Sequence, residues 1–166
     1  MSQNEAAAHT RPINFPSEAF PAYPGLTVHA PEQWVALAAV GLPLALAREV
    51  PSGQFRPNIL VTITRFGVDF SFDQARKLLD AKLKKLPRYK ETERVAEPFL
   101  TGEGMHLVGR FTAAKGEIIR QRVSIAVINR GYVFDVVEIT ATSALVSGDN
   151  VEAEITEILA SLSVTL

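Results

Sequence analysis

The most constraining feature of this chain is a β-branched run that passes through a short turn into a capped amphipathic helix. Residues 58–66 read NILVTITRF, and their alternation of apolar side chains predicts a strand. Ser71 with Gln74 three positions later forms a capping-box pattern, which predicts that a helix begins there and ends before Pro87. The predicted apolar stripe of this helix is Ala75, Leu78, Leu79, Leu83 and Leu86.

The same patterns predict the remaining elements and a fold class. Further strands are expected at 26–30, 44–50, 89–97, 105–112, 117–128 and 132–140. A second helix is expected at 150–162, capped by Asp149 and buried through Val151, Ile155, Ile158, Leu159 and Leu162. Because short hairpins join antiparallel strands, the chain is predicted to be an α+β protein. Its antiparallel sheet would have about six to seven strands, with two main helices packed on it.

Chain length and proline content predict a single domain preceded by an arm. The chain has 166 residues, enough for one domain with a substantial core. Residues 1–25 contain four prolines, which remove backbone donors and disfavour regular structure. We therefore expect a Pro-rich N-terminal arm at 1–25, lying extended across one α+β domain at 26–166.

Composition excludes several classes of function. The formal net charge is −1, which gives no general attraction to nucleic acid. The absence of cysteine excludes disulfides, thiolate nucleophiles and lipid attachment through an N-terminal Cys. The first ten residues carry neither the basic nor the apolar region of an export signal, so a cytoplasmic location is expected. The longest apolar stretch, 34–47, is too short for a transmembrane helix.

No catalytic, cofactor-binding or metal-binding residues are predicted. His9, His29 and His106 lack the spacing of a zinc site, and no nucleophile elbow or phosphate-binding loop occurs. His106 with Glu103 is the one neighbouring histidine–carboxylate pair in the strand region, and we interpret it as a strand residue beside a turn. The sequence therefore predicts a non-enzymatic protein that needs no cofactor.

Three arginines leave two interpretations open. Arg120 and Arg122 share a strand face, and Arg110 is expected on the neighbouring strand. Together they can form a small basic patch for a carboxylate or phosphate. Alternatively, they pair across strands with Glu117, Asp135 and Glu138.

Several short sequence segments resemble the actinobacterial LpqN/LpqT-type domain, which has a PsbP-like fold. They are APEQW at 30–34, PNILVT at 57–62, GRF at 109–111, Gln121, GYVF at 131–134 and ILASL at 158–162. The resemblance implies a PsbP-like sandwich acting as a small accessory or binding domain, often presented on the cell envelope as a lipoprotein. A similar fold serves as the Eag chaperones of type VI secretion, which shield apolar segments of effectors. This chain departs from the envelope pattern, since it has no lipid-accepting Cys.

Two functional hypotheses follow. The first is a protein-binding or chaperone-like accessory module, acting through the sheet face opposite the helices and the apolar 34–47 segment. Its partner would be another protein or a second copy in a homodimer, and the predicted contacts are Trp34, Leu42, Phe66, Tyr132 and Phe134. The alternative is a small hydrophobic-ligand or lipid-binding domain, with a pocket between sheet and helices lined from residues 34–47.

Overall fold

The computed structural model describes residues 11–166, so His9 and the first ten residues of the arm lie outside the described residues. A seven-stranded antiparallel sheet has the order β2-β3-β4-β8-β7-β6-β5, and β1 pairs separately with β9. The strands are β1 Gly25–Thr27, β2 Trp34–Ala36, β3 Leu44–Arg48, β4 Asn58–Phe66, β5 Lys90–Ala96, β6 Glu103–Thr112, β7 Ile118–Asn129, β8 Phe134–Ala144 and β9 Ser163–Thr165. The predicted α+β class is confirmed.

The two helices are α1, Phe72–Leu83, and α2, Asp149–Ala160. The capping box of α1 is present: the Ser71 hydroxyl accepts from the Gln74 amide, and the Gln74 side chain accepts from the Ser71 amide at 2.8 Å. The predicted cap of α2 is wrong. Gly148, at a φ of 87°, occupies the cap position, and Asp149 lies inside the first turn, where its carboxylate favours the helix dipole. Neither helix, within residues 11–166, has the length and apolarity needed to cross a bilayer.

The helices lie on opposite faces of the sheet and give three layers. Successive side chains of a strand point to opposite faces, and β7 shows both sets. Ala126 and Ile128 belong to the core beneath Ile155 of α2, whereas Val123 and Ile125 belong to a second core beneath α1. This arrangement corrects the expectation that one face is covered by helices and the other is left open.

The buried stripe of α1 is narrower than predicted. Leu79 is 3% exposed and packs in the second core with Ala75 and Leu83. Leu78, however, is 50% exposed, because at 100° per residue it lies at the edge of the helix face that meets the sheet. Leu78 is therefore a surface residue and not part of the core.

Candidate binding site

Four of the five predicted contact residues lie at one end of the sheet. Phe66, the last residue of β4, pairs directly with Phe134, the first residue of β8. Tyr132 lies in the turn that joins β7 to β8. Leu42 precedes Leu44, where β3 begins, and the antiparallel register directs that segment toward the end of β4. We call this surface, formed by Leu42, Phe66, Tyr132 and Phe134, the aromatic end.

Exposure differs among these residues. Tyr132 is 55% exposed, whereas Phe66 and Phe134 are half-buried. The Phe66 ring stacks on Phe70, with centroids 3.8 Å apart and planes 8° from parallel. Phe134 packs against the core beneath α1. The two phenylalanines thus form the base of the aromatic end, and Tyr132 projects from it.

A buried carboxylate holds the arm at this same end of the sheet, on the face opposite Phe66 and Phe134. Asp135 is fully buried and accepts two hydrogen bonds from Arg65, at 2.7 and 2.8 Å, and one from Arg130 at 3.2 Å. Arg65 also donates to the carbonyl of Pro21 at 2.7 Å, and Arg130 donates to the carbonyl of Ala22 at 3.1 Å. The cluster therefore satisfies one buried charge and two arm carbonyls with the same two guanidinium groups.

The arm adds aromatic side chains to the same end. The Tyr23 ring lies 4.1 Å from the Arg65 guanidinium carbon, a cation–π contact. Eight arm residues, within 11–14 and 17–20, line a shallow cavity of about 330 Å³ together with Tyr132. Phe15, Phe20 and Tyr23 are each at least half exposed. The arm consequently adds exposed aromatic side chains at this end of the sheet.

Removing residues 1–20 is expected to leave the domain folded. That deletion keeps Pro21, Ala22 and Tyr23, which make the contacts to Arg65 and Arg130. Thermal unfolding should show a Tm within about 4 °C of the full chain, equivalent to about 1 kcal/mol at this size. A deletion of residues 1–24 removes those contacts and should lower the Tm further. Failure of the shorter deletion to fold would show that the arm is integral to the domain.

Trp34 does not belong to the aromatic end. It is 7% exposed, and its indole N–H donates to Glu154 of α2 at 2.8 Å. Arg48, its register partner, donates to the same carboxylate at 2.7 and 3.1 Å. These bonds from Arg48 and Trp34 hold the pKa of Glu154 below its usual range, against the opposing effect of burial. Trp34 thus fastens α2 to the β2–β3 edge and offers no surface to a partner.

A separate groove lies between α2 and the outer strands β5–β7. Its volume is about 1030 Å³, and none of residues 34–47 lines it, which corrects the predicted location of a ligand pocket. Its apolar walls are Pro98, Phe99, Val108, Leu145, Leu159, Ala160 and Leu162. Its polar lining includes Arg110, Arg120, Arg122, His106, Ser124 and Thr156.

The three predicted arginines do meet in this groove. Arg120 and Arg122 both contact one oxygen of Glu152 from α2, at 3.2 and 2.8 Å. The other oxygen of Glu152 accepts from the Ser143 hydroxyl. Burial alone would raise the pKa of Glu152, but the Ser143 hydrogen bond and the two arginines outweigh burial and lower it. Glu152 is therefore ionised at neutral pH and shared between two cations.

The carboxylates predicted as cross-strand partners of these arginines are used elsewhere or are not bonded to them. Asp135 binds Arg65 and Arg130, and Glu138 binds Lys82 of α1 at 2.6 Å. Glu117 makes no ion pair within residues 11–166. The counter-charge instead comes from α2, a pairing between distant segments that strand patterns do not reveal.

His106 lies in β6, as the sequence predicts for a strand residue, and its side chain bonds to groups other than its sequence neighbour Glu103. Its Nδ1 lies 2.7 Å from the Ser124 hydroxyl, and its Nε2 lies 3.4 Å from Glu97. The amides around Ser124 lie in the interior of the sheet, paired with β6 and β8, so they cannot form the oxyanion hole of a serine hydrolase. The chain of Ser124, His106 and Glu97 is thus a polar network on the groove floor, with the edge of Phe99 packed against the imidazole.

Across residues 11–166, no three histidine, aspartate or glutamate side chains converge closely enough to hold an ion.

No protein-family model and no curated protein matches this chain. A solved structure does match over most of its length: LpqN, involved in cell envelope biogenesis of Mycobacterium tuberculosis. The two share 16% identity with a TM-score of 0.74, and the match covers 88% of this chain and 86% of LpqN.

Two further structures show the same architecture. The cyanobacterial PsbP of Synechocystis matches with a TM-score of 0.55 and 13% identity, over 85% of this chain and 93% of that one. The Ran-binding protein Mog1p of Saccharomyces cerevisiae matches with a TM-score of 0.50 and 10% identity, over 83% of this chain and 89% of that one. The chain therefore has the PsbP-like fold that LpqN also has, and the predicted resemblance is confirmed at the level of fold.

Proposed function

We propose that this protein is a non-catalytic accessory domain that binds a partner protein through the aromatic end. The observation that carries this proposal is the distribution of exposed apolar side chains. Of thirteen large hydrophobic residues exposed in residues 11–166, seven lie on the arm or at this end of the sheet. They are Ile13, Phe15, Phe20, Tyr23, Val40, Val68 and Tyr132.

The composition of this surface is typical of a protein interface. Contiguous exposed apolar area is uncommon on monomers, and interface centres are enriched in aromatic residues and arginine. Here the Tyr23 ring lies over the Arg65 guanidinium, and Asp135 accepts hydrogen bonds from both Arg65 and Arg130. Both guanidinium groups are therefore already hydrogen-bonded within the protein, to Asp135 and to arm carbonyls, which lowers the cost of desolvating this surface on binding.

The 34–47 segment contributes less exposed apolar surface to the proposed binding site than its composition predicts. Trp34 and the β3 residues Ala45, Leu46 and Ala47 are buried. Val40, in a short 3-10 turn, is 51% exposed, and Leu42 beside it is half-buried. Only the loop before β3 thus extends the proposed binding surface.

The comparisons support an accessory role by analogy of fold. Mog1p, with a TM-score of 0.50, is a Ran-binding protein, and LpqN is involved in cell envelope biogenesis. The PsbP-like sandwich is therefore used for protein binding in at least one protein, although a fold by itself does not specify a partner.

Photocrosslinking at Tyr132 tests the proposal. A photoreactive phenylalanine analogue at position 132 is expected to give one discrete adduct in the source cells, whereas the same analogue at Val146 should not. Val146 is the matched control, since it is 87% exposed and follows β8 at the opposite end of the sheet. An adduct with a second copy of the chain would identify the partner as a homodimer.

The affinity of the purified protein for the crosslinked partner gives a quantitative test of the proposal. Tyr132→Glu should weaken binding at least about thirtyfold, the effect of losing a central interface aromatic, and Val146→Glu should not. Equal loss in both variants, or none in either, would contradict binding at the aromatic end. A measurable turnover abolished by His106→Ala would contradict the non-catalytic assignment.

A further inference from the structure

Three cations stand side by side across β5, β6 and β7: Arg110 and Arg120 line the groove, and Lys90 lies beside it. Lys90 of β5 lies opposite Arg110 of β6, and Arg110 lies opposite Arg120 of β7. Residues directly opposite in antiparallel strands point to the same face of the sheet, and like charges in such positions destabilise it. Arg120 in turn faces Ser143 of β8, so the row ends on a neutral side chain.

The row is incompletely neutralised by the protein. Glu152 contacts Arg120 and Arg122, but Lys90 and Arg110 take part in no ion pair within residues 11–166. Arg110 is exposed at the groove wall, so its guanidinium can reach a ligand without rearrangement of the fold. This arrangement is that of an anion site, because the carboxylate of Glu152 does not neutralise all of the neighbouring cations.

A buried donor in the same cluster also lacks a partner. The Nε of Arg122 is buried and makes no hydrogen bond, whereas its Nη1 donates to Thr156 at 2.8 Å and its Nη2 to Glu152. Buried polar groups are almost always hydrogen-bonded, and each exception calls for an explanation. The protein therefore leaves one guanidinium donor of this cluster unsatisfied.

Polarity changes along the groove. Arg110 and Arg120 lie near the end of β6 and the start of β7, beside the first turn of α2. Farther along, the lining consists of Phe99, Leu159 and Leu162, with His106 and Ser124 on the floor. Glu93, opposite Val108 of β6, and Glu97, beside His106, line the β5 side of the groove, and within residues 11–166 neither forms an ion pair with the cationic row. One end of the groove thus suits an anion and the other an apolar chain.

We propose that this groove binds an anionic amphiphile, with its carboxylate or phosphate head at Lys90, Arg110 and Arg120 and its hydrocarbon chain between α2 and β6. The volume of about 1030 Å³ matches the upper range of small-molecule sites. The cation row is too short for nucleic acid, and the apolar wall would be unused by a bare anion. This site lies at the β5 edge of the sheet, whereas Trp34 lies at the opposite edge, in β2. The proposal does not depend on the proposed function of the aromatic end.

Calorimetric titration of the full chain tests this assignment. Dodecanoate and dodecyl phosphate, each below its micelle concentration, are expected to bind, and comparing them identifies the preferred head group. Dodecyltrimethylammonium should bind at least about tenfold more weakly because the row would repel it, and butyrate should also bind at least about tenfold more weakly because its chain is short.

Two variants locate the ligand. Arg110→Glu should weaken binding of the preferred dodecyl anion about tenfold or more, whereas Lys84→Glu, the same charge change at an exposed residue just after α1, should not. Thr156→Phe, which fills the groove from α2, should remove binding while Arg110 remains intact. Thermal unfolding of each variant shows that it is folded.

Four results would overturn the proposal. They are no binding of either dodecyl anion, equal binding of the dodecyl cation, equal binding of butyrate, or unchanged affinity in folded Arg110→Glu and Thr156→Phe proteins. Equal binding of butyrate would assign the cluster to small anions alone, and unchanged affinity would place the amphiphile elsewhere.

Discussion

Leu79→Asp is expected to unfold the domain. Leu79 is 3% exposed in the core beneath α1, so the aspartate would lose apolar contacts and bury a charge without a partner. We expect a loss of at least about 4 kcal/mol in the free energy of unfolding, a large share of a typical domain's total. Ile158→Asp, at 0% exposure in the core beneath α2, should have the same effect.

Leu78→Asp is the matched control. It places the same charge one residue earlier on the same helix, where the side chain is 50% exposed. Its free energy of unfolding in urea should stay within about 0.5 kcal/mol of the parent value. If Leu79→Asp melts like the parent and Leu78→Asp does not, the buried face of α1 is assigned to the wrong side.

Asp135→Asn should destabilise the protein by about 3–5 kcal/mol. The substitution keeps the size of the side chain but removes the charge that compensates Arg65 and Arg130, and breaking a buried ion pair at one partner leaves the other uncompensated. The two guanidinium groups also hold Pro21 and Ala22, so the arm should become more susceptible to proteolysis.

Asp73→Asn is the control for Asp135→Asn, because it removes a paired carboxylate that is not buried. Asp73 also forms an ion pair, with Lys77 at 2.8 Å, but its side chain is 59% exposed and solvent screens the pair. The Tm of the Asp73→Asn protein should therefore hardly differ from that of the parent protein. Equal destabilisation by the two substitutions would mean that the Asp135 cluster is no more than a surface interaction.

Local sequence patterns predict both helices, much of the core and seven of the nine strands in residues 11–166, but not the short strands β2 and β9. The β4 bounds, the Ser71–Gln74 capping box and the buried residues Ile155 and Ile158 all follow from period-2 or period-3.6 patterns and from capping chemistry. These features depend on neighbours in sequence, which one chain displays directly.

Features that depend on distant segments were not predictable in this way. The alternation in β7 shows that it has two apolar faces, but not which helix covers which face. Similarly, nothing near Arg120 in sequence indicates that its counter-charge is Glu152, and nothing near Asp135 indicates Arg65. For the proposed sites, the sequence predicted the residue types at the aromatic end and in the arginine patch, but not the arm contacts or the groove.

The strand order has a consequence for how the chain folds. Strands β5 to β8 follow one another as neighbours joined by short turns, so their pairing requires little loop-closure entropy. Strand β4, in contrast, pairs with β8 after α1 and three strands have intervened along the chain. We expect the β5–β8 meander to form early and the addition of β4, with β2 and β3 beyond it, to be the slow step, because non-local strand pairing limits folding rates. Partial unfolding is therefore expected to break the pairing between β4 and β8 first, which separates β2–β4 from the β5–β8 meander.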